Sequence, residues 1–274
     1  MRIAFFGDVV GRAGRVVLCE RLPELKRRLK LDFVAVNAEN AAGGFGLTQS
    51  IADEIFAAGA DCLTLGNHAW DQRDMIQYIE REPRILRVAN YPPLTNAPGR
   101  GANLFQVGGH SVLVVSVMGR VFMDALDCPF TAAEREVAAC PLGMAADAII
   151  VEVHGEATSE KQGMGHMLDG RVSMVIGTHT HVPSADTRIL EGGTAFQTEL
   201  GMCGDYDSVI GMNKHIAVRK LSSRMPAQRH EPAEGPGLAS GIFLETDNRT
   251  GLAVRAEPIR VGFGLKTAMP MVDA

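Results

Sequence analysis

Through the first two-thirds of the chain, short apolar runs alternate with segments that place apolar residues at helical spacing. The runs read as strands at 2–6, 33–37, 62–65, 85–89, 102–107, 111–117, 148–153 and 172–176. Several are apolar on successive residues, the pattern of strands covered on both faces. Helices fall between them. Thr131 and Glu134 form a capping-box pair that predicts a helix to about 140. Asp71 is placed to cap a helix carrying Met75, Ile76 and Ile79, and Thr48 or Ser50 to cap one carrying Ile51, Ile55 and Ala58.

Beyond His181 the rhythm changes. Short strands are expected at 186–190 and 194–198, a turn-rich loop at 201–208, and a helix from about 213 to 222. Residues 224–237 hold three prolines and two glycines among mixed charges and read as a long exposed loop. Segments 240–246 and 252–259 read as a hairpin turning at Asp247-Asn248-Arg249-Thr250-Gly251. This order predicts an α/β protein, one domain over 1–274, with two packed sheets and flanking helices.

Composition narrows the functional classes. With 274 residues, 46% hydrophobic and 22% charged, the chain is long enough for a full core. No apolar run approaches the roughly 18 residues of a membrane span, and the first residues enter a strand rather than a leader, so a cytoplasmic protein is expected. A net charge of −5 argues against a broad nucleic-acid footprint. A small nucleotide or a single RNA end stays compatible with it. The five cysteines are odd in number and contain no CxxC pair, so a disulfide framework is not expected and they read as buried thiols.

The chemistry-bearing residues gather where strands end. Asp8 follows the first strand, and a carboxylate there suits a hard divalent ion, although it could also cap the helix that starts near Gly11. Asn37-Ala38-Glu39-Asn40 follows the second. Glu39 can bridge two cations and Asn40 offers a neutral oxygen, with a turn as the competing reading. Gly66-Asn67-His68 follows the third; Asn67 offers an amide oxygen and His68 a transferable proton. His154 ends another strand, and Gly177-Thr178-His179-Thr180-His181 sets two imidazoles at i, i+2, able to serve adjacent metals. His110, His166, His215 and His230 lack such surroundings and read as surface or satisfied core residues. Gly11-Arg12-Ala13-Gly14-Arg15 is a weak phosphate-cradle signal that more simply reads as a helix start. Gly201–Asp207 is glycine-rich and could wall a pocket, as could the residues at 45–47.

In this order the motifs resemble the calcineurin-like metallophosphoesterases. Val10 stands where that superfamily's first motif has a histidine, Glu39 where it has a bridging aspartate, and Thr178 is inserted before His179. These departures resemble a narrower group, the bacterial YmdB-like phosphodiesterases, over about residues 1–260. The resemblance implies a four-layer α/β/β/α sandwich of two mixed sheets with a two-metal site. One metal would take Asp8, Glu39, Asn40 and His181, the other Glu39, Asn67, His154 and His179, with iron the first choice and manganese next. It implies hydrolysis of cyclic nucleotide phosphodiesters such as 2′,3′-cAMP by a metal-bridging hydroxide, with His68 as proton donor. It also implies a homo-oligomer. A phosphomonoesterase on the same scaffold, or a metal-binding regulator acting through protein or RNA contacts, are the alternatives.

Overall fold

A computed structural model describes residues 1–223 and 228–272. It contains two six-stranded mixed sheets. In the first, Arg2–Phe6, Phe33–Asn37, Cys62–Thr64 and Ile85–Leu86 run parallel, Leu238–Thr246 lies antiparallel beside Arg2–Phe6, and Ala253–Gly262 pairs antiparallel with Leu238–Thr246 at the edge. In the second, His110–Met118, Ala148–His154, Met174–Thr178 and Ala195–Gln197 are parallel neighbours. Ala102–Val107 and Arg188–Ile189 close its two edges antiparallel.

The period-two alternation of each strand explains the layering. Ile3, Phe5, Phe33 and Ala35 point toward the other sheet and share a core with Val112, Val114, Ile150, Met174 and Ile176. Their neighbours Ala4, Phe6, Val34 and Val36 point the opposite way. They pack with Leu18, Leu22 and Leu25 of helix Gly11–Arg28, Ile55 of Gln49–Ala57 and Met75 of Arg73–Arg81. The second sheet's outer face, with Val115, Ile149 and Val175, carries helices Pro129–Ala139 and Thr158–Leu168. Both faces of both sheets are therefore covered, and the result is the four-layer α/β/β/α sandwich.

Several local expectations are corrected. The helix at 131 starts two residues earlier, with Pro129 in its first turn after Cys128, and no side chain caps it. Proline's fixed φ suits that position, and Glu134 instead forms a paired contact with Arg171 at 2.8 Å. Asp71 is not a cap either: Gln72 precedes Arg73–Arg81, and Asp71 bonds His68. Of the two candidates near 48, Thr48 caps, accepting from the Ile51 N–H. The strand expected at 85–89 is only Ile85–Leu86, and 186–190 only Arg188–Ile189.

The loop at 201–208 contains a short strand, Met202–Cys203, paired in parallel with Asp8–Val9. The exposed loop expected at 224–237 lies partly outside the described residues. From 228 on it is not wholly exposed, because Glu231 O accepts from Asn213 N and Ala233 N donates to Gly211 O. All five cysteines are free, but only Cys62 and Cys203 are buried; Cys19, Cys128 and Cys140 are half-exposed.

Candidate active site

The strand ends of both sheets open onto one cavity of about 520 Å³, whose lining includes Glu39, Asn40, His68, His179 and His181. Beneath it sits His154, fully buried. Its Nε2 lies 3.0 Å from Glu39 Oε1 and 2.9 Å from Asn67 Oδ1. Its Nδ1 donates to Thr178 Oγ1 at 2.9 Å, and Thr178 passes the bond on to Glu152 Oε1, also at 2.9 Å. Asn37 and Ser116 donate to the same buried carboxylate at 2.7 and 2.8 Å. The ring is thus fixed in place, with its Nδ1–H held on Thr178, by a relay that crosses both sheets. Gly66 is part of the fit, since a Cβ there would meet His154 Cδ2 at 2.2 Å.

His179 approaches the same point. One ligand atom from each of Glu39, His154 and His179 lies within 4.8 Å of the others, and the two imidazole rings meet edge to face at 4.9 Å. His179 has φ 102° and His181 φ 66°, a left-handed conformation costly for residues with a Cβ. The turn is held by Glu199, which accepts from Thr180 N and Oγ1 at 3.1 and 2.8 Å and from Gly201 N at 3.2 Å. Lys161 Nζ meets Glu199 at 2.7 Å, and both are buried. A buried ion pair contributes most when its remaining bonding capacity is filled, and these further bonds do that for the Glu199 carboxylate.

Asp8, Asn40 and His181 form the other side. Asp8 Oδ2 accepts the His179 N–H at 3.2 Å, whereas Oδ1, 3.9 Å from His181 Nε2, is buried with no hydrogen-bond partner. Asn40 donates to Gly44 O, leaving its buried Oδ1 equally unpartnered. His181 Nδ1 donates to Ile210 O at 2.8 Å, which frees Nε2 for the Asp8 side. Buried oxygens without donors are unfavourable unless something else meets them. Carboxylate, amide oxygen and imidazole are together the donor set of a divalent metal, so the residues present fit such an ion.

The electrostatics agree with that division. Burial raises Asp8 to about 6 against the pull of His181. Burial also works against the charge on Glu39, yet His154 and the His68 N–H outweigh it and hold Glu39 at about 2. His154, disfavoured as a cation by burial, is lifted to about 9 by Glu39. His179 is pushed down to about 3 by burial and then by His154. The protein alone thus holds a carboxylate–imidazolium pair beside a neutral histidine with a free lone pair.

His68 donates its backbone N–H to Glu39 Oε2 at 3.1 Å, and its ring Nδ1 lies 2.8 Å from Asp71 Oδ2. Phe45 meets the ring edge-on at 5.2 Å. All the residues predicted for the site therefore come together. What the sequence reading missed is the support: Asn37, Ser116, Glu152 and Thr178 behind His154, and Lys161–Glu199 beneath the turn. Polar residues inside otherwise apolar strands are the signal that could have found the first set. His230, read as a surface or core residue, lines the cavity. His166 and His215 are exposed and His110 partly so, all outside the cavity.

Known proteins share this architecture. A profile of the family described as YmdB-like protein matches residues 4–259. The 2′,3′-cyclic-nucleotide 2′-phosphodiesterase of Bacillus subtilis (strain 168) is 41% identical over 261 residues, spanning 95% of this chain and 97% of that relative. A hypothetical protein from Thermus thermophilus superposes with a TM-score of 0.88 at 39% identity, over 96% of this chain and 99% of that one. A novel phosphatase from Mycoplasma pneumoniae gives 0.88 at 31% identity, over 96% and 93%. Two facing mixed sheets flanked by helices are the fold that the chain shares with the calcineurin-like metallophosphoesterases. Within that class, the chain belongs to the YmdB-like family.

Proposed function

We propose that this protein hydrolyses phosphodiesters, with nucleoside 2′,3′-cyclic phosphates as the substrate class, using two divalent metal ions. The observation that carries the substrate class is the 41% identity, across nearly the whole of both chains, to the Bacillus subtilis phosphodiesterase. The unpartnered oxygens of Asp8 and Asn40 support the metals. Asp8, Glu39, Asn40 and His181 would hold one ion, and Glu39, Asn67, His154 and His179 the other. Iron is our first assignment and manganese the second, as the family resemblance implies; the mixture of imidazole, carboxylate and amide oxygen accepts either. Bound there, the ions would supply Lewis acidity toward phosphoryl oxygens and lower the pKa of water.

The chain's own groups do the rest. The Nδ1–H of His154 stays on Thr178, so Nε2 would be the nitrogen offered to an ion once the proton it shares with Glu39 has left. His68, oriented by Asp71, gives a proton to the departing ribose oxygen. The P–O bond to that oxygen breaks as water's oxygen bonds to phosphorus, the proton lost by water passes to solvent and one from solvent restores His68, and a nucleoside monophosphate with one freed ribose hydroxyl leaves. The Mycoplasma pneumoniae relative's description as a phosphatase favours phosphomonoesters as a second reading. Comparing kcat/KM for 2′,3′-cAMP and p-nitrophenyl phosphate separates the two. A clear preference for the cyclic diester is expected, and the reverse preference would replace the first reading with the second. No helix among the described residues is long and apolar enough to cross a membrane.

A further inference from the structure

Above the metal-ligand side chains the cavity wall turns apolar: Phe45, Ile210, Met212 and Leu221 line it together with Lys220 and His230. Its volume of about 520 Å³ falls in the ~300–1,000 Å³ range of small-molecule sites. Because this wall and the phosphoester-facing residues share one cavity, a group attached to a phosphate held there is within reach of the wall.

Ile210 is the residue that folding alone does not explain. Val209 N donates to Met212 O at 3.0 Å and Met212 N to Val209 O at 2.9 Å, so Ile210-Gly211 is a two-residue hairpin loop. Its central residues have φ 48° and 91°, the positive values of a type I′ turn. Such turns favour Asn-Gly, and a β-branched residue at positive φ is a steric outlier. The strain is not offset by packing, for the Ile210 side chain is 52% exposed. Nor does the turn's bond to the site need this side chain, because His181 donates to the Ile210 backbone carbonyl. What remains is the face that the side chain gives to the cavity, and a local rule broken beside a site is where a functional constraint is expected.

We propose that Ile210 is a specificity-determining residue, its side chain forming, with Phe45, Met212 and Leu221, the wall that receives the nucleobase of the substrate. The partner chemistry is a flat heterocycle, apolar on its faces, attached through ribose to the phosphodiester. This deepens the proposed function and rests on it.

The test uses Ile210→Asn and Ile210→Gly, both suited to the turn, in metal-loaded protein. For each, kcat/KM is measured on 2′,3′-cAMP and on ribose 2,3-cyclic phosphate, which lacks the base. The ratio of the two is expected to fall about tenfold, through KM for the nucleotide, the order expected for lost apolar contact in a pocket. The melting temperature is expected to hold or rise, because both replacements relieve the turn. An unchanged ratio, or a fall in melting temperature that accompanies equal losses on both substrates, overturns the proposal. If the wild type hydrolyses neither compound, the proposed function fails on its own terms. Equilibrium binding of adenosine then decides the wall: binding weakened in both variants upholds it, and no binding by the wild type, or binding unweakened in the variants, overturns it.

Discussion

The two sides of the site are built by opposite rules. Around His154 the ring nitrogens and the carboxylate behind them find partners within the protein: Glu39 and Asn67 on one nitrogen, Thr178 on the other, and Glu152 behind, itself held by Asn37 and Ser116. Around Asp8 and Asn40 the same kinds of atom are equally buried, yet one oxygen of each meets no donor. The satisfied side shows how an imidazole is held in one orientation by its surroundings. The unsatisfied side shows what those surroundings are for. Burial of a carboxylate and an amide oxygen without donors costs stability, a cost that a divalent ion would offset.

Removing Glu39, which both sides share, should do most. Glu39→Gln is expected to lose one or both metals and with them turnover, by more than the ~10–100-fold typical of changes behind a ligand. Full metal occupancy with normal turnover would end its bridging role. In metal-free protein the same change strands the buried His154, so stability should fall by about 3–5 kcal/mol, the cost of breaking a buried pair. Asp8→Asn should act with the opposite sign on metal-free stability at pH 7.5, raising it by about 1 kcal/mol, because burial already disfavours the Asp8 charge. Chemical denaturation of chelator-treated proteins measures both, and a loss of stability in Asp8→Asn would erase the contrast.

His68→Ala separates chemistry from metal holding. Turnover should drop about 10²–10⁴-fold with metal content intact, and unchanged kcat would remove His68 from the reaction. Thr178→Val, which takes away only the Nδ1 partner of His154, should weaken metal binding by about 10–100-fold, read by competition with a chelator. The smallest effect is in pH. His154 at about 9 lies above the ~6.5 of an unfolded histidine, so its contribution to metal-free stability is complete below 6.5 and is lost as pH rises through 9. Metal-free protein should therefore melt lower at pH 9.5 than at pH 6.5, and equal melting temperatures would contradict the Glu39–His154 pair.

The layering was legible because strands covered on both faces must be apolar on successive residues, as at Val34–Ala35–Val36 and Ile149–Ile150–Val151. The candidate ligands were legible because sheet topology sends parallel strand ends to one edge. Their support was not. Asn37 and Glu152 are 115 positions apart and meet only because the two sheets pack face to face. Nor does sequence order show that Asp71 orients His68 rather than capping a helix, or that Ile210 occupies a turn position suited to asparagine. Local propensity governs such positions only where no tertiary contact competes.

The most direct test of the account is the metal content of anaerobically purified protein, compared between the wild type and Asp8→Asn after both are offered Fe²⁺ or Mn²⁺. About two ions per chain in the wild type and about one in the variant are predicted, because only the Asp8 side is changed. A wild type that binds no metal would contradict the central claim that the unpartnered oxygens of Asp8 and Asn40 are ligands.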